Sequence, residues 1–509
     1  MLYLVLDGIA VYSALSLLKS WRDRRRNPSL NLPYPPGPKQ LPILGNILDM
    51  PPSDEWEAGR RWGEEYGDLV FVQNFGTPYL FVNSFDAAFD LFEKRGGNYS
   101  SRPLKMMLEL EDWTWMTVMM PYGDEHKRSR QFIHQFFQPL AASGYQEQQI
   151  RATHKLLKLI LEDPKEYANH IRTITAELIL MITYGYQILE KQDPYVKLVE
   201  RGMDSITDAQ RLYLVDHLPI LKYIPAWFPG AQFQKTILEG IQLSHDMLYE
   251  PFRIVKQQML DGTGVPSIAR KLLEKHVDSG GKGSSEELIA KTAGVIYAAG
   301  GDTTVSALLT FILAMVLYPE VMRKGQRELD EIIGKDSLPE IEDKARLPYI
   351  RAIYQEVLRW QPVTPLAVAH VATEDDVYRG YRIPKGTTIL PNAWAIFRNP
   401  KEYPEPDKFI PERWLVDKPP TEANKAAFGF GRRICPGRHF AENSLFIGIA
   451  SILACFDIGK ALDEHGQPIT PKEEYTPNFV RHPRPFKCAI TPRSLSIGQI
   501  IRQTVEAEK

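Results

Sequence analysis

Phe428-Gly429-Phe430-Gly431-Arg432-Arg433-Ile434-Cys435-Pro436-Gly437 is the stretch on which the reading of this chain turns. Its glycines permit tight turns and a close approach of backbone to a flat ligand, because a residue without Cβ leaves no side chain in the way. Gly431 and Gly437 free the chain to wrap the Cys435 sulfur and to offer it amide N–H groups. Such donors, together with a bound iron, hold a cysteine as thiolate and tune its electron donation. Arg433, two residues earlier, is a cation placed to meet a carboxylate of the same ligand. A lone cysteine at the start of a helix is usually plain core, which accounts for neither the glycines nor the arginine.

The rest of the chain bounds the answer. Its 509 residues are 44% hydrophobic and 24% charged, an ordinary globular composition long enough to bury a large core. Lys and Arg (61) nearly balance Asp and Glu (63), for a net charge of −2, so nothing calls for nucleic acid as a partner. Cys455 and Cys488 are the other cysteines. Three, widely spaced, suggest neither a disulfide framework nor a zinc site, and point to a reducing compartment.

The N-terminus differs from the remainder. Residues 1–18 are apolar apart from Asp7, and Lys19, Arg22, Arg24, Arg25 and Arg26 follow. A cleaved signal places its basic residues first; the reverse order fits an uncleaved membrane anchor over residues 1–20 with the body on the cytosolic side. An amphipathic surface helix is the alternative, since the run is short for a span. Residues 21–40 form a basic and proline-rich linker, Pro33-Tyr34-Pro35-Pro36-Gly37-Pro38 being too rich in proline for a helix and stiff enough for a spacer. Residues 41–509 remain as one domain.

Within that domain, residues 69–83 predict two short strands about Gly76-Thr77-Pro78. Residues 85–360 carry mostly helical periodicity. Strands are expected over 366–390, irregular chain over 391–434, a helix after Cys435, and terminal strands over 476–498. The fold class is mainly α with small β-sheets. Inside a helical run over 285–318 stands Ala299-Gly300-Gly301-Asp302-Thr303-Thr304. Two adjacent glycines at mid-helix are unfavourable by roughly 1 kcal/mol each relative to Ala, which suggests either a functional distortion or close packing. Glu356 and Arg359, three apart on a helix, share a face.

These strings together resemble the cytochrome P-450 superfamily, whose signature Phe-x-x-Gly-x-Arg-x-Cys-x-Gly is met at every fixed position. The resemblance spans nearly the whole chain and implies the cytochrome P-450 fold. It implies heme b with Cys435 as iron ligand, and cofactor contacts from Arg433, Arg130, His370, Phe428, Gly429, Gly437 and Ala299. Asp302 and Thr303 become the catalytic pair, relaying protons and holding oxygen or its water in a pocket opened in the helix. Glu356, Arg359 and Arg413 become a structural ion triad. His126 stands where the family usually has Trp, four residues before Arg130, and a lone strand histidine such as His370 is otherwise structural. Substrate walls are expected from Met106, Met107, Trp113, Trp115, Met116, Ile296, Ala299, Leu366 and Ala367, apolar residues that equally suit plain core.

The strings 226–231, 375–381 and 481–486 are similar to fungal secondary-metabolism members, the group that includes tryptamine 4-monooxygenase and O-methylsterigmatocystin oxidoreductase. That similarity implies a haem-thiolate monooxygenase acting on a small lipophilic or aromatic natural-product scaffold (terpenoid, polyketide or indole). No Rossmann fingerprint occurs in the chain. A separate NADPH-cytochrome P-450 reductase is therefore expected as partner, at the endoplasmic reticulum membrane. An isomerase or dehydratase that uses no O2 is the rival, and a non-catalytic haem-binding protein a more distant one. NADPH consumption on substrate addition separates the first from the monooxygenase. Asn98-Tyr99-Ser100 matches a glycosylation sequon by chance on this reading, since cytosolic chain is not glycosylated.

Overall fold

The structure is a computed structural model that describes residues 31–189, 193–211, 213–278, 280 and 285–508. The anchor expected over 1–20 and the linker as far as residue 30 lie outside the described residues. The longer elements, in chain order, are α1 (Glu55–Tyr66), β1 (Leu69–Asn74), β2 (Thr77–Val82), α2 (Asp124–Phe137), α3 (Gln146–Glu162), α4 (Tyr167–Tyr184), α5 (Pro194–Ala209), α6 (Phe233–Leu260) and α7 (Ile268–Asp278). They continue with α8 (Glu286–Leu317), α9 (Pro319–Ile332), α10 (Pro348–Trp360), β3 (His370–Val371), β4 (Asp376–Tyr378), β5 (Tyr381–Ile383) and β6 (Thr388–Pro391). The chain closes with α11 (Arg438–Cys455), β7 (Phe456–Leu462), β8 (Pro468–Ile469), β9 (Cys488–Pro492) and α12 (Leu495–Ala507).

Local chemistry sets the helix ends. Ser285 accepts from the Leu288 amide and Glu286 and Glu287 fill the first turn of α8, so a cap and two favourable charges start it where the sequence predicts. Pro319 stops α8 and opens α9, and Pro194 and Pro348 open α5 and α10 in the same way. Strands β1 and β2 turn at Phe75 and Gly76, both at positive φ (47° and 83°), one residue earlier than the sequence suggests. Arg379 and Gly380 turn β4 into β5 similarly. One sheet has the order β1-β2-β6-β3, with β2 and β6 parallel, so chain from both ends of the domain meets there.

Two expectations change. Residues 33–38 are laid on the body: the Tyr34 ring stacks on Phe71 at 4.7 Å, and the Pro36 carbonyl accepts from the Phe71 amide at 2.9 Å. They are no stand-off spacer. The C-terminal stretch is not all strand either. Of residues 476–498, β9 is strand and α12 begins at Leu495, capped by Ser494, which accepts from the Ile497 amide; β7 and β8 come earlier.

The buried side chains form two large clusters, and α8 serves both. Ile289 to Ala298 belong to one, with α4 to α7; Val305 to Val316 belong to the other, with α3, α10 and α11. Residues 299–304 between them belong to neither, and Ala299, Asp302, Thr303 and Thr304 retain exposure at the centre of an otherwise buried helix. Though α8 is long and apolar enough to cross a membrane, it is a core helix.

Candidate active site

The Cys435 amide donates to the Phe428 carbonyl at 2.7 Å and closes the loop around the sulfur. Gly429 and Gly431 take φ of 75° and 54°. A Cβ on Gly431 would lie 2.2 Å from the Phe92 carbonyl oxygen, so that contact admits glycine alone. Burial pushes the Cys435 thiol above its ordinary range, while the Gly437 amide donating to it and the guanidiniums of Arg130 and Arg438 pull it down. The loop thus carries donors and cations aimed at one sulfur, as the glycine pattern implies.

A ring of cations, Arg102 and Arg433 buried and Arg130 partly so, surrounds this loop. Arg433 donates to the carbonyls of Ser100 (2.7 Å), Thr117 (3.1 Å) and Met120 (2.7 Å). Arg102 donates to those of Val118 (2.9 Å), Val368 (2.8 Å) and Ala369 (2.8 Å). Arg130, from α2, donates to the Ile434 carbonyl beside Cys435. Burial depresses all three, Arg433 to about 10, and the charges acting on Arg102 are the other two guanidiniums. No carboxylate pairs with any of them among the described residues. Buried cations without counter-ions are costly. A ligand bearing two carboxylates supplies what this ring lacks, and haem is such a ligand.

Two histidines complete the ring. His126 is buried, drawn down to about 3 by burial and the neighbouring arginines, and its Nδ1 has no protein partner. It can therefore present one polar atom where the family usually has the Trp indole. His370 bonds the Tyr99 carbonyl through Nδ1 at 2.6 Å. Burial, then Arg102, hold it far below the usual histidine range, against the bond to Tyr99, which raises it.

The 299–304 segment of α8 packs toward α11, the helix that follows the loop. The Thr303 hydroxyl donates to the Ala299 carbonyl at 2.9 Å, and Asp302 Oδ1 lies 3.0 Å from His482 Nε2. Gly300 and Thr304 line a small cavity with Phe440, Ser444 and Gly448 of α11, the helix that follows Cys435. The expected opening of the helix is not there: α8 runs unbroken through both glycines. Gly300 has a packing reason, because a Cβ would come within 2.6 Å of the Ile179 side chain of α4, and Gly301 lies against Val199 of α5. Glu356, as expected, is wholly buried between Arg359 (2.8 Å) and Arg413 (3.2 Å), and also accepts from the Ile410 amide and the Trp414 indole.

Other readings divide. Trp113 and Trp115 are packed in the core. Their indoles donate to Glu111 (3.1 Å) and Ser244 (2.8 Å) inside the core, where Met107, Met116 and Ile296 are also buried. Ala299, Leu366 and Ala367 keep exposure. Asn98 of the sequon is engaged with Thr373 and Glu374, in keeping with a structural role. Arg102 and His482 were missed. Arg102 sits in Ser100-Ser101-Arg102-Pro103, which has no periodicity to mark it; its signal is burial without a counter-ion. His482 had none beyond its place in a family-like string.

The sequence pattern of the family described as Cytochrome P-450 matches residues 35–490. A cytochrome P-450 monooxygenase of Armillaria gallica is 41% identical over 506 residues, covering 97% of this chain and 99% of the relative. Cytochrome P-450 monooxygenase 208 of Postia placenta is 40% identical over 511 residues, 98% of each. Cytochrome P-450 monooxygenase claR of Ampulloclitocybe clavipes is 38% identical over 496 residues, 96% of this chain and 90% of the relative. The chain belongs to the cytochrome P-450 family of haem-binding monooxygenases.

Proposed function

We propose that this cytochrome P-450 oxygenates a small lipophilic or aromatic natural product, of terpenoid, polyketide or indole type. Its electrons come from a separate NADPH-dependent reductase. The observation that carries the reading is the pairing of a cation-ringed thiol loop with the uncovered 299–304 segment of α8. Bound haem supplies the activation of O2 and its insertion into a C–H or double bond. Cys435 would ligate the iron, and Arg102, Arg130 and Arg433 would hold the two carboxylates. Phe428, Gly429 and Gly437 would shape the loop that meets the haem, and Ala299 would contact it from α8. His370 would be a further contact. Asp302 passes protons inward, and the Thr303 hydroxyl holds the water that receives them.

Two surfaces support the partners. Lys127, Arg130 and Arg432 line one hollow with Tyr122, His126 and His134 beside the cysteine loop, a cationic seat for an acidic reductase domain. At another end, Tyr223 (74% exposed) and Trp227 (81%) stand out with Leu214, Ile220 and Phe228. His217 ties that segment to Thr77 at 3.3 Å, and the β1–β2 turn lies next to exposed Ile43 and Leu48 through the Gly45–Asn74 bridge. Such an apolar end suits contact with lipid, in line with an endoplasmic reticulum anchor in residues 1–20 and a cytosolic catalytic body.

Metabolites of a host with and without the chain identify the substrate. Purified protein with reductase should then consume NADPH on substrate addition and give a product heavier by oxygen. Conversion without NADPH or O2 would instead establish the isomerase or dehydratase reading.

A further inference from the structure

The carboxylate of Asp302 is not open to solvent in its own right. His482 Nε2 lies 3.0 Å from its Oδ1, and both side chains are mostly buried. The loop carrying His482 is stitched in place on three sides. The Arg481 carbonyl accepts from Ser306, one turn along α8 from Asp302, and the Arg481 amide donates to the Val363 carbonyl at 2.9 Å. The His482 amide and carbonyl both bond Thr476, at 3.0 and 2.8 Å. The ring is therefore held by backbone, and its contact with Asp302 is built in. Its other nitrogen, Nδ1, is buried with no protein partner. A ring with one nitrogen on a carboxylate and the other awaiting a water has both ends of a proton path.

The outer end is also furnished. Glu200 and Asp204, exposed and one turn apart on α5, feel the charges of both Asp302 and His482. Partial desolvation, foremost, and Asp302 raise both carboxyls above their ordinary range. Arg172 of α4 stands 3.8 Å from Glu200 and is the remaining charged group in the set. Solvent thus meets carboxyls on α5, then the imidazole, then Asp302, then the neighbourhood of Thr303.

We propose that His482 is the residue through which protons reach Asp302. The inference rests on the reading of Asp302 as the inward proton donor. A proton from water binds Nδ1 as the Nε2 proton passes to the Asp302 carboxylate, leaving a neutral ring and a neutral acid. Asp302 then gives its proton to the water held by Thr303, and the ring returns to the first tautomer by releasing the Nδ1 proton to water and taking one up at Nε2. Charge and proton count balance at each step. His482 acts through Asp302 and is not itself catalytic.

The test uses haem-loaded full-length protein with reductase and NADPH, following NADPH oxidation and peroxide in H2O and in D2O. Glutamine keeps an N–H donor to Asp302 but cannot shuttle a proton. His482→Gln and His482→Ala should both slow oxidation about tenfold and raise the solvent isotope effect, as should Asp302→Asn. The double variant His482→Gln with Asp302→Asn should be no slower than either alone. Thermal midpoint and carbon monoxide band should match those of the parent and clotrimazole affinity should stay within about twofold, which reports an intact pocket. Normal turnover in His482→Gln beside a slow His482→Ala would overturn the relay and leave only a positioning hydrogen bond. Normal turnover in both His482 variants, with Asp302→Asn slow, would overturn it while Asp302 kept its role. Normal turnover in Asp302→Asn would remove the reading beneath it.

Discussion

A Cβ on Gly431 would sit 2.2 Å from the Phe92 carbonyl oxygen, and a backbone carbonyl has no rotamer with which to yield. Gly431→Ala must therefore shift the cysteine loop against the segment that carries Phe92, at a cost of about 2–3 kcal/mol. The expected outcome is a lower thermal midpoint and protein that retains less haem after gel filtration. Thr303 calls for a different readout. Its hydroxyl donates to the Ala299 carbonyl, so removing it leaves the helix whole and takes away only an oxygen-side partner. Thr303→Ala should keep NADPH consumption substantial while product per NADPH falls and peroxide rises; an unchanged ratio would remove the residue from the proton path. At this scale the sequence was legible where partners are near in the chain. Cys435, Gly431 and Arg433 lie within five residues of one another and identify themselves. Arg102 answers to Val118, Val368 and Ala369, and His482 to Asp302, partners brought together only by the fold.

Single elements depend on charges they enclose. Glu111 is fully buried, accepts from Ser205 of α5 and from Trp113, and lies where a Cβ on Gly240 of α6 would have to go. Burial, the dominant cause, raises its carboxyl to about 7. The folded state therefore holds a proton that the unfolded chain releases near its ordinary value of 4.5. Its contribution is present below that value, is lost as pH rises to about 7, and stays lost above. Glu111→Gln should thus stabilise the α5–α6 contact at pH 8 by on the order of 2–3 kcal/mol and make little difference at pH 4, read from denaturation midpoints. A larger gain at pH 4 would reverse the assignment. Glu356→Ala strands two buried guanidiniums, and breaking such a pair costs about 3–5 kcal/mol; a midpoint close to that of the parent would show the triad to be dispensable. Element bounds were legible where caps and prolines mark them, as in α8. The twin glycines misled, because a glycine admitted for close packing reads the same in sequence as one admitted for distortion. The cap Ser494 was a signal for α12, masked by the strand-like residues before it.

For the molecule as a whole, the fold class was legible because helical periodicity over 85–360 leaves little room for anything else, and the cysteine motif names the family. The position of residues 33–38 was not, since a proline-rich segment has the same composition whether it spans solvent or lies on β1. Deleting residues 1–26 should release much of the protein from membranes with haem retained. Replacing Ile220, Tyr223 and Trp227 by Ser in that truncated chain should lower what membrane binding is left, measured by flotation with liposomes. Undiminished flotation would place the lipid contact elsewhere. The account as a whole rests on Cys435 as the iron ligand. The measurement that reaches it most directly is the carbon monoxide difference spectrum of dithionite-reduced protein, for the parent and for Cys435→Ser. A thiolate ligand gives a red-shifted Soret band in the parent, and Cys435→Ser should lack it because a hydroxyl cannot donate electrons as a thiolate does. The same red-shifted band persisting in Cys435→Ser would mean that another residue holds the iron.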